Sequence, residues 1–341
     1  MTFDLERIKT ILSDPSPNHM EQLAEGARAI TRQYFGRTIS LYAPLYLSNY
    51  CSSHCTYCGF NSKNRIKRLR LTPEQMAVEM QKVAATGIEN ILLLTGESYQ
   101  ATPVTYLKEA VAVAKQYFTS ISLEVHPMDV EEYQELYQNG VDGIAVYQET
   151  YDRERYKEVH VSGKKSDYDF RVKTPERAAQ AGLRMISLGI LLGLGPLEED
   201  LNELYQHLRF LEKNYPGVEY SVSFPRLRKI KGREFAICDV SDVTLIKIIC
   251  LTRILFPRVG INLSTRENAR IRDHALELGI TRMSAGSNTA VGGYAIEDPD
   301  EQEPQFDIED TRSVDEIIQL LKKRDFDPIL TDWRPIKNET V

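Results

Sequence analysis

Three cysteines lie close together in the first fifth of the chain, at Cys51, Cys55 and Cys58. Their C-x3-C-x2-C spacing follows an apolar run over residues 41–47. Cysteine thiolates bind soft metals and iron–sulfur clusters. Three such residues can ligate three irons of a [4Fe–4S] cluster, which leaves the fourth iron without a local protein ligand. The pattern therefore predicts a cluster with one open iron, at which a small molecule can bind and react.

Other uses of the three cysteines have to be weighed against a cluster. A zinc site usually needs a fourth Cys or His at knuckle spacing, and His54 lies too close to its neighbours for that role. Cys238 and Cys250 are remote from the three and are not paired as C-x-x-C. A disulfide framework is not expected in a chain of this size with five cysteines and no visible secretory signal. Zinc binding and buried structural cysteines remain as alternatives.

The cysteine pattern, with an aromatic residue before its last cysteine, resembles the signature of the radical S-adenosylmethionine (radical SAM) enzymes. The resemblance implies a [4Fe–4S] cluster ligated by Cys51, Cys55 and Cys58, with S-adenosyl-L-methionine bound to the open iron. It implies that one electron from the cluster cleaves the sulfonium and that the 5′-deoxyadenosyl radical forms. It also implies a cofactor contact for Tyr57. In such enzymes the cofactor carries the hard chemistry, and the protein binds and orients it.

The composition of the chain excludes several other classes of protein. The 341 residues are 42% hydrophobic and 27% charged, as in soluble globular proteins. The net charge of −7 gives no indication of a nucleic-acid partner. No run approaches the roughly 20 apolar residues of a membrane span, and the first residues contain no secretory h-region. We therefore expect a cytoplasmic protein with no membrane partner, in a compartment reducing enough for an oxygen-sensitive cluster.

One basic stretch follows the cysteines directly. Its members are Lys63, Arg65, Lys67, Arg68 and Arg70. Such a run is usually a solvated face. Its closeness to the cysteines also suits a docking patch for an acidic electron donor such as flavodoxin or ferredoxin.

The elements that must position these residues alternate between short apolar runs and amphipathic segments. Runs rich in Ile, Leu and Val predict buried parallel strands at 40–47, 90–95, 120–126, 142–147, 184–190, 218–223, 258–263 and 281–285. Thr72 followed by Pro73 and Gln75 predicts a helix start, and Thr174 followed by Pro175 repeats it. Eight βα units predict an α/β fold, a (β/α)8 TIM-type barrel, in which active-site groups lie at the carboxyl ends of the strands.

The predicted domain division has three parts. Residues 1–35 are expected to form helices that lead into the barrel, and residues 36–296 form the barrel itself. Residues 297–341 are expected to form a short C-terminal extension. It contains an acidic loop, a helix at 312–323 and a tail with the sole tryptophan, Trp333, that packs on the barrel.

Polar residues at the ends of the predicted strands are the candidates for cofactor binding. The second strand ends in Thr95, Gly96 and Glu97, where the glycine lets backbone approach a ligand and the carboxylate can hold an ammonium group. By resemblance these residues contact the methionine amino group of S-adenosylmethionine. The resemblance further implies that Glu149 binds the ribose, that Arg177 pairs with the methionine carboxylate, and that the backbone near Leu192 reads the adenine.

Later strand ends are expected to face the substrate. Arg266 with the hydroxyl of Ser264 or Ser284 makes a plausible clamp for an amino-acid carboxylate, since guanidinium forks onto carboxylate. Glu124, at the third strand, can accept the substrate ammonium. Ser264 can also be a helix N-cap. The histidines 126, 160 and 274 show no ligand spacing and are expected to be structural or surface residues.

Longer strings narrow the resemblance to the tyrosine lyases of thiamine biosynthesis, the 2-iminoacetate synthases (ThiH). They are residues 46–60, 146–151, 221–228, 263–267, 283–287 and 292–294. The family's reaction is radical cleavage of the Cα–Cβ bond of L-tyrosine to 2-iminoacetate and 4-cresol, with 5′-deoxyadenosine and methionine. The resemblance implies thiazole synthase (ThiG) as a partner. Related lyases remain as alternatives, one acting on tyrosine in hydrogenase maturation and one on tryptophan. The hydrogenase type is disfavoured because no cysteine follows Cys250. A non-catalytic electron carrier is the alternative from another class.

Overall fold

The computed structural model describes residues 4–227, 238–295 and 304–331. Its strands are β1 (Thr38–Ser48), β2 (His54–Cys55), β3 (Asn90–Thr95), β4 (Ser120–Glu124), β5 (Gly143–Ala145), β6 (His160–Ser162), β7 (Met185–Gly189), β8 (Glu219–Ser223), β9 (Gly260–Leu263), β10 (Arg282–Ser284) and β11 (Asp327–Ile329). The end of the predicted tail, with Trp333, and the first part of the predicted acidic loop lie outside the described residues.

Twelve α-helices surround the strands in the described part of the chain. They are α1 (Leu5–Ser13), α2 (Pro17–Phe35), α3 (Pro73–Ala84), α4 (Val104–Ala114), α5 (Val130–Asn139), α6 (Arg153–Val159), α7 (Tyr168–Val172), α8 (Thr174–Gln180), α9 (Leu197–Asn214), α10 (Asp242–Leu255), α11 (Ala269–Ala275) and α12 (Val314–Lys323). The helix predicted at 312–323 is confirmed by α12.

Eight parallel strands close into a barrel in the order β1, β3, β4, β5, β7, β8, β9 and β10, and β10 pairs back with β1. The closing register sets Ser40 against Arg282 and Leu41 against Met283. Seven of the eight predicted runs contain one of these strands, and the run at 40–47 lies within the longer β1. The TIM-type barrel is therefore confirmed, and its parallel strands bring their carboxyl ends to one face.

Helix starts follow the predicted signals in one case and depart from them in another. The Thr72 hydroxyl accepts a hydrogen bond from the Gln75 amide, and the Gln75 side chain accepts one from the Thr72 amide, a complete capping box for α3. The same prediction is wrong at Thr174, which is the first residue of α8 and not its N-cap. Because α7 runs almost directly into α8, the Thr174 hydroxyl donates to the carbonyl of Phe170 instead.

Elements near both ends of the described chain, α1 and β11, pack on the outside of the barrel. The buried Lys247 ammonium on α10 donates to the carbonyl of Leu12 at 2.9 Å, which ties α1 to the barrel wall. At the other end of the chain, β11 pairs in parallel with the first residues of β1, Thr38 with Asp327. Strand β11 therefore packs on the edge of the barrel, although the sequence did not predict a strand there.

Below the carboxyl face, the barrel interior holds a polar layer. The Asn262 amide donates to the hydroxyls of Ser187 at 2.9 Å and of Ser221 at 3.2 Å. Hydrogen-bonded side chains of this kind satisfy one another inside a barrel. They give the overlying cavity a fixed floor.

A membrane span is not among the described elements, since no helix there combines the length and the apolar character that crossing a bilayer demands.

Candidate active site

One cavity opens at the carboxyl ends of the barrel strands. Of the predicted site residues, only Arg177 and Leu192 do not line it. Those that do are Cys51, Cys55, Tyr57, Cys58, Thr95, Gly96, Glu97, Glu124, Glu149, Ser264, Arg266 and Ser284. Residues from six barrel strands or their following loops therefore meet around one space, with the cysteines on one wall and Arg266 on another.

The cysteine loop is held closed by its own hydrogen bonds. The Asn61 side chain donates to the carbonyl of Cys55 at 3.0 Å. The Arg68 guanidinium donates to the carbonyls of Asn49 at 2.6 Å, Phe60 at 2.7 Å and Asn61 at 2.6 Å. Arg68 therefore fixes the loop from behind, and it is not a free charge of the predicted docking patch.

A short antiparallel ladder fastens the same loop to the next part of the barrel. Strand β2, inside the loop, pairs with β6, and Cys55 lies opposite His160. The Thr56 amide donates to the carbonyl of Val159 at 2.9 Å. Neither of these short strands was predicted, because two or three residues carry no periodic signal.

The three thiols line one cavity and are partly or fully buried. Burial raises the pKa of Cys51 to about 11 and also raises the pKa values of Cys55 and Cys58. A ligand that binds the thiolate form removes this penalty, as metals do. No three His, Cys, Asp or Glu side chains in residues 4–227, 238–295 and 304–331 converge on one metal ion. A [4Fe–4S] cube spreads its cysteine ligands over separate irons, so the arrangement fits it.

The loop after β3 lies directly against the cysteine loop. A Cβ added to Gly96 would collide with the carbonyl oxygen of Tyr50 and lie 3.2 Å from the Cβ of Cys51, so only glycine fits there. On either side, the Thr95 hydroxyl and one carboxylate oxygen of Glu97 are buried without a partner among the described residues. Buried polar atoms are normally paired, so these two are available to a ligand in the cavity.

Two cations that the sequence did not predict neutralise the carboxylates of this wall. Arg171 on α7 donates to Glu97 at 2.7 Å and to the carbonyl of Tyr147 at 2.8 Å. The Lys165 ammonium lies 2.8 Å from Glu149 and 3.8 Å from Glu97. Burial alone would raise the pKa of Glu97, but the charges of Arg171 and Lys165 outweigh it and hold that pKa below its ordinary value.

Glu149 has an uncommon backbone conformation. Its φ is 71°, in the left-handed region that non-glycine residues rarely adopt. The turn is fixed by the buried carboxylate of Asp200, which accepts hydrogen bonds from the Thr150 hydroxyl at 2.9 Å and the Tyr151 amide at 2.6 Å. Strained backbone of this kind is kept where the surrounding structure enforces it, and it points the Glu149 side chain into the cavity.

Arg177 and Leu192 lie outside the cavity wall. The Arg177 guanidinium donates to the carbonyls of Met128 and Phe170, each at 2.8 Å, and stacks 3.8 Å over the Phe170 ring. The Leu192 amide donates to the carbonyl of Pro225, and its carbonyl accepts from Leu227. Both residues therefore connect elements of the barrel, and Leu191 lines the cavity in place of Leu192.

Arg266 lies in another part of the cavity wall, after β9. Its guanidinium lies 3.6 Å over the ring of Phe306, and burial lowers its pKa. The Ser264 hydroxyl accepts from the Arg266 amide at 3.4 Å, and the Ser284 hydroxyl accepts from the Thr265 amide at 3.0 Å. Ser264 is not a helix N-cap, because Asn268 caps α11.

Glu124 reaches the same cavity from the end of β4. Burial, together with the neighbouring carboxylate of Glu149, raises its pKa to about 7. The side chain can therefore exchange a proton near neutral pH. It is a candidate either to hold an ammonium group or to move a proton.

The histidines are structural or exposed, as predicted. His160 Nδ1 lies 2.9 Å from the carbonyl of Tyr156, and its Nε2 lies 2.8 Å from the hydroxyl of Tyr57. Because burial lowers the pKa of His160 to about 2, the ring is neutral, donates from Nδ1 and accepts from Tyr57. His160 thus orients the cavity residue Tyr57. His126 is buried and His274 is exposed.

Comparison with known proteins identifies two family models in the chain. Residues 45–208 match the radical SAM superfamily, and residues 223–327 match the Biotin and Thiamin Synthesis associated domain. The 2-iminoacetate synthase of Salmonella typhimurium is 38% identical over 327 residues, 96% of this chain and 86% of the relative. That of Escherichia coli is 40% identical over 324 residues, 95% of this chain and 85% of the relative.

Solved structures resemble the chain over nearly its whole length. The FeFe-hydrogenase maturase HydG from Carboxydothermus hydrogenoformans superposes with a TM-score of 0.88 at 32% identity, covering 96% of this chain and 76% of that one. The cofactors of the superfamily are a [4Fe–4S] cluster and S-adenosylmethionine, and the three thiols and the unpartnered oxygens beside them fit that pair. The chain belongs to the radical SAM superfamily and, within it, to the family of the 2-iminoacetate synthases.

Proposed function

We propose that this protein is a carbon–carbon lyase that cleaves L-tyrosine between Cα and Cβ, giving 2-iminoacetate (dehydroglycine) and 4-cresol for the thiazole of thiamine. The observation that carries the proposal is one cavity whose lining includes both the cysteine loop and a partly buried arginine with two nearby hydroxyls. The first wall suits a radical-forming cofactor. The second suits the carboxylate of an amino acid.

The cysteine wall would hold the cofactors. Cys51, Cys55 and Cys58 would ligate the cluster. The unpartnered oxygens of Thr95 and Glu97 would accept hydrogen bonds from the amino group of S-adenosylmethionine. When bound, this pair supplies the 5′-deoxyadenosyl radical, which takes a hydrogen atom from the substrate.

Charged side chains on the same wall suit the ribose and the methionine carboxylate of S-adenosylmethionine. Glu149 would bind the ribose diol, as acidic residues do in dinucleotide sites. The sequence assigned the methionine carboxylate to Arg177, but that side chain is occupied outside the cavity. Arg171 lines the cavity as a permanent cation beside Glu97, so we assign the carboxylate to Arg171, with Lys165 next to it.

The second wall would hold tyrosine. Arg266 would bind the substrate carboxylate, with the hydroxyls of Ser264 and Ser284 as further donors. Glu124 would accept the ammonium, which it can do only when deprotonated, above its pKa of about 7. Positioning is the main contribution of such a wall, because a displacement of about 1 Å can cost about a hundredfold in rate.

Aromatic rings also form part of the cavity wall. Tyr46, Phe60 and Phe306 line the cavity, and Tyr46 packs edge-on against Phe60 at 5.8 Å. Excluding water protects both a reactive radical and an imine product from side reactions.

The proposal includes an electron donor, a partner enzyme and a cytoplasmic location. The exposed Lys63, Arg65 and Lys67 lie beside the cysteine loop and suit docking of an acidic flavodoxin or ferredoxin. Thiazole synthase would consume the 2-iminoacetate. Because the cluster and its cysteine ligands need reducing conditions, we place the enzyme in the cytoplasm.

Anaerobic turnover with chemical reductant tests the proposal. The reconstituted protein is incubated with S-adenosylmethionine and either tyrosine or tryptophan, and the products are identified by mass spectrometry. We expect 4-cresol from tyrosine, no product from tryptophan, and no carbon monoxide or cyanide. Product from tryptophan alone would overturn the assignment of tyrosine as the substrate. Carbon monoxide would favour the hydrogenase-maturation chemistry, and cofactor cleavage with no cut substrate would favour another amino acid.

A further inference from the structure

A segment from the C-terminal part of the chain forms part of the cavity wall through Gln305 and Phe306. We define residues 304–312 as the C-terminal strap. Its far end is anchored by backbone, since the amides of Glu309 and Asp310 donate to the carbonyl of Thr265 at 2.9 and 3.2 Å. The buried carboxylate of Asp310 also pairs with the buried guanidinium of Arg272. The strap is therefore fixed to the substrate side of the barrel.

The near end of the strap is seated on the cysteine loop. The Gln305 amide donates to the carbonyl of Thr289 at 3.1 Å, and the Thr289 hydroxyl donates to the carbonyl of Phe306 at 2.8 Å. A Cβ added to Gly59 would lie 2.7 Å from the Gln305 carbonyl oxygen, so that backbone can pack there only because residue 59 is glycine. The position of Gln305 next to Cys58 is thus set by backbone contacts.

The Gln305 side chain makes hydrogen bonds with both a phenol and a cysteine sulfur. The Tyr46 hydroxyl donates to Gln305 Oε1 at 2.7 Å, and Gln305 Nε2 donates to Cys58 Sγ at 3.8 Å. The amide has one favourable orientation, because a thiolate can only accept. With NH2 toward sulfur, the carbonyl oxygen faces the phenol, and Tyr46 then locks the amide in place.

Donors to cysteine sulfur change the redox properties of a cluster. Reduction adds negative charge that the ligand sulfurs share, so a donor stabilises the reduced form more than the oxidised form. We propose that Gln305 is a positioning residue that raises the reduction potential of the cluster through its hydrogen bond to Cys58, with Tyr46 orienting its amide. The inference rests on the proposed assignment of Cys58 as a cluster ligand.

The potential of the reconstituted protein, measured without S-adenosylmethionine by an EPR-monitored redox titration, tests this role. We expect Gln305→Leu to lower the equilibrium constant for cluster reduction about tenfold, which is about 59 mV for a one-electron couple. Gln305→Glu keeps the partner for Tyr46 but directs a carboxylate at sulfur, so its potential should fall further. Tyr46→Phe should give a smaller fall in the same direction.

Matched measurements separate this role from a structural one. Gln180→Leu removes an exposed glutamine that donates to Tyr215 far along the chain, and its potential should equal that of the wild type. Iron content should be normal in all four variants. A wild-type potential in both Gln305 variants, with full iron, would overturn the inference and leave the proposed function untouched. Failure of the wild-type protein to hold any cluster would overturn the proposed function itself.

Discussion

Replacing Arg171 with methionine removes the guanidinium from the cofactor wall while keeping much of the side-chain volume. Arg171 is buried, and its hydrogen bonds reach the Glu97 carboxylate and the carbonyl of Tyr147. The matched change is Arg177→Met, six residues later in the chain. That variant loses bonds to the carbonyls of Met128 and Phe170 but takes nothing from the cavity wall.

The expected magnitude follows from charge-assisted hydrogen bonding. Such a bond is worth roughly 1.5–3 kcal/mol, which corresponds to about a tenfold to hundredfold loss in affinity for S-adenosylmethionine. Arg171→Met should also destabilise the fold, because removing one partner of a buried ion pair costs roughly 3–5 kcal/mol. Lys165 remains 3.8 Å from Glu97, so we expect the lower end of that range.

The assay is anaerobic calorimetry of S-adenosylmethionine binding to protein of verified iron content. We expect weak binding by Arg171→Met and near wild-type affinity for Arg177→Met, while both retain the cluster. The reverse pattern would refute the reasoning, since it would mean that the cofactor carboxylate is held by a residue that this structure places outside the cavity. Unchanged affinity in both variants would refute it as well.

Three further predictions concern other residues of the cavity. Cys58→Ala should abolish the bound cluster, whereas Cys238→Ala should keep it; iron analysis checks both, and equal losses would contradict the ligand assignment. Arg266→Lys keeps the charge but loses the fork, so 4-cresol should nearly vanish while slow 5′-deoxyadenosine release continues; wild-type 4-cresol would remove Arg266 from the site. Activity should fall as pH drops through about 7, where Glu124 gains a proton and loses the charge that holds ammonium. The Glu124→Gln enzyme should be slow at every pH, and its activity should not fall further as the pH drops through about 7. If that fall persists in the variant, another group causes it.

The barrel could be predicted from sequence because short apolar segments alternate with amphipathic ones eight times along the chain. Parallel strands covered on both faces favour apolar segments, and their regular alternation with helical patterns indicates successive βα units. The cysteine loop was equally accessible, since its chemistry depends on the spacing of Cys51, Cys55 and Cys58 alone. Placement at strand ends then brought most of the cofactor and substrate residues into one cavity.

The rest depended on geometry that spacing does not record. Lys165 and Arg171 come from a stretch of short elements after Glu149, where a change of one residue in register decides which cation enters the cavity. A buried carboxylate pair does require cations, and that requirement was the available signal for them. Gln305 reaches Cys58 across 247 positions of sequence, and no local pattern marks such a contact.

The most direct test of the central claim is the fate of tyrosine labelled with ¹³C at Cα and with deuterium on its ring. We expect the carbon label in 2-iminoacetate, or in the glyoxylate that it yields with water, and the ring label in 4-cresol. The two products should form in equal amounts and match the 5′-deoxyadenosine released. Recovery of both labels in a single product, with S-adenosylmethionine consumed, would contradict cleavage of the Cα–Cβ bond.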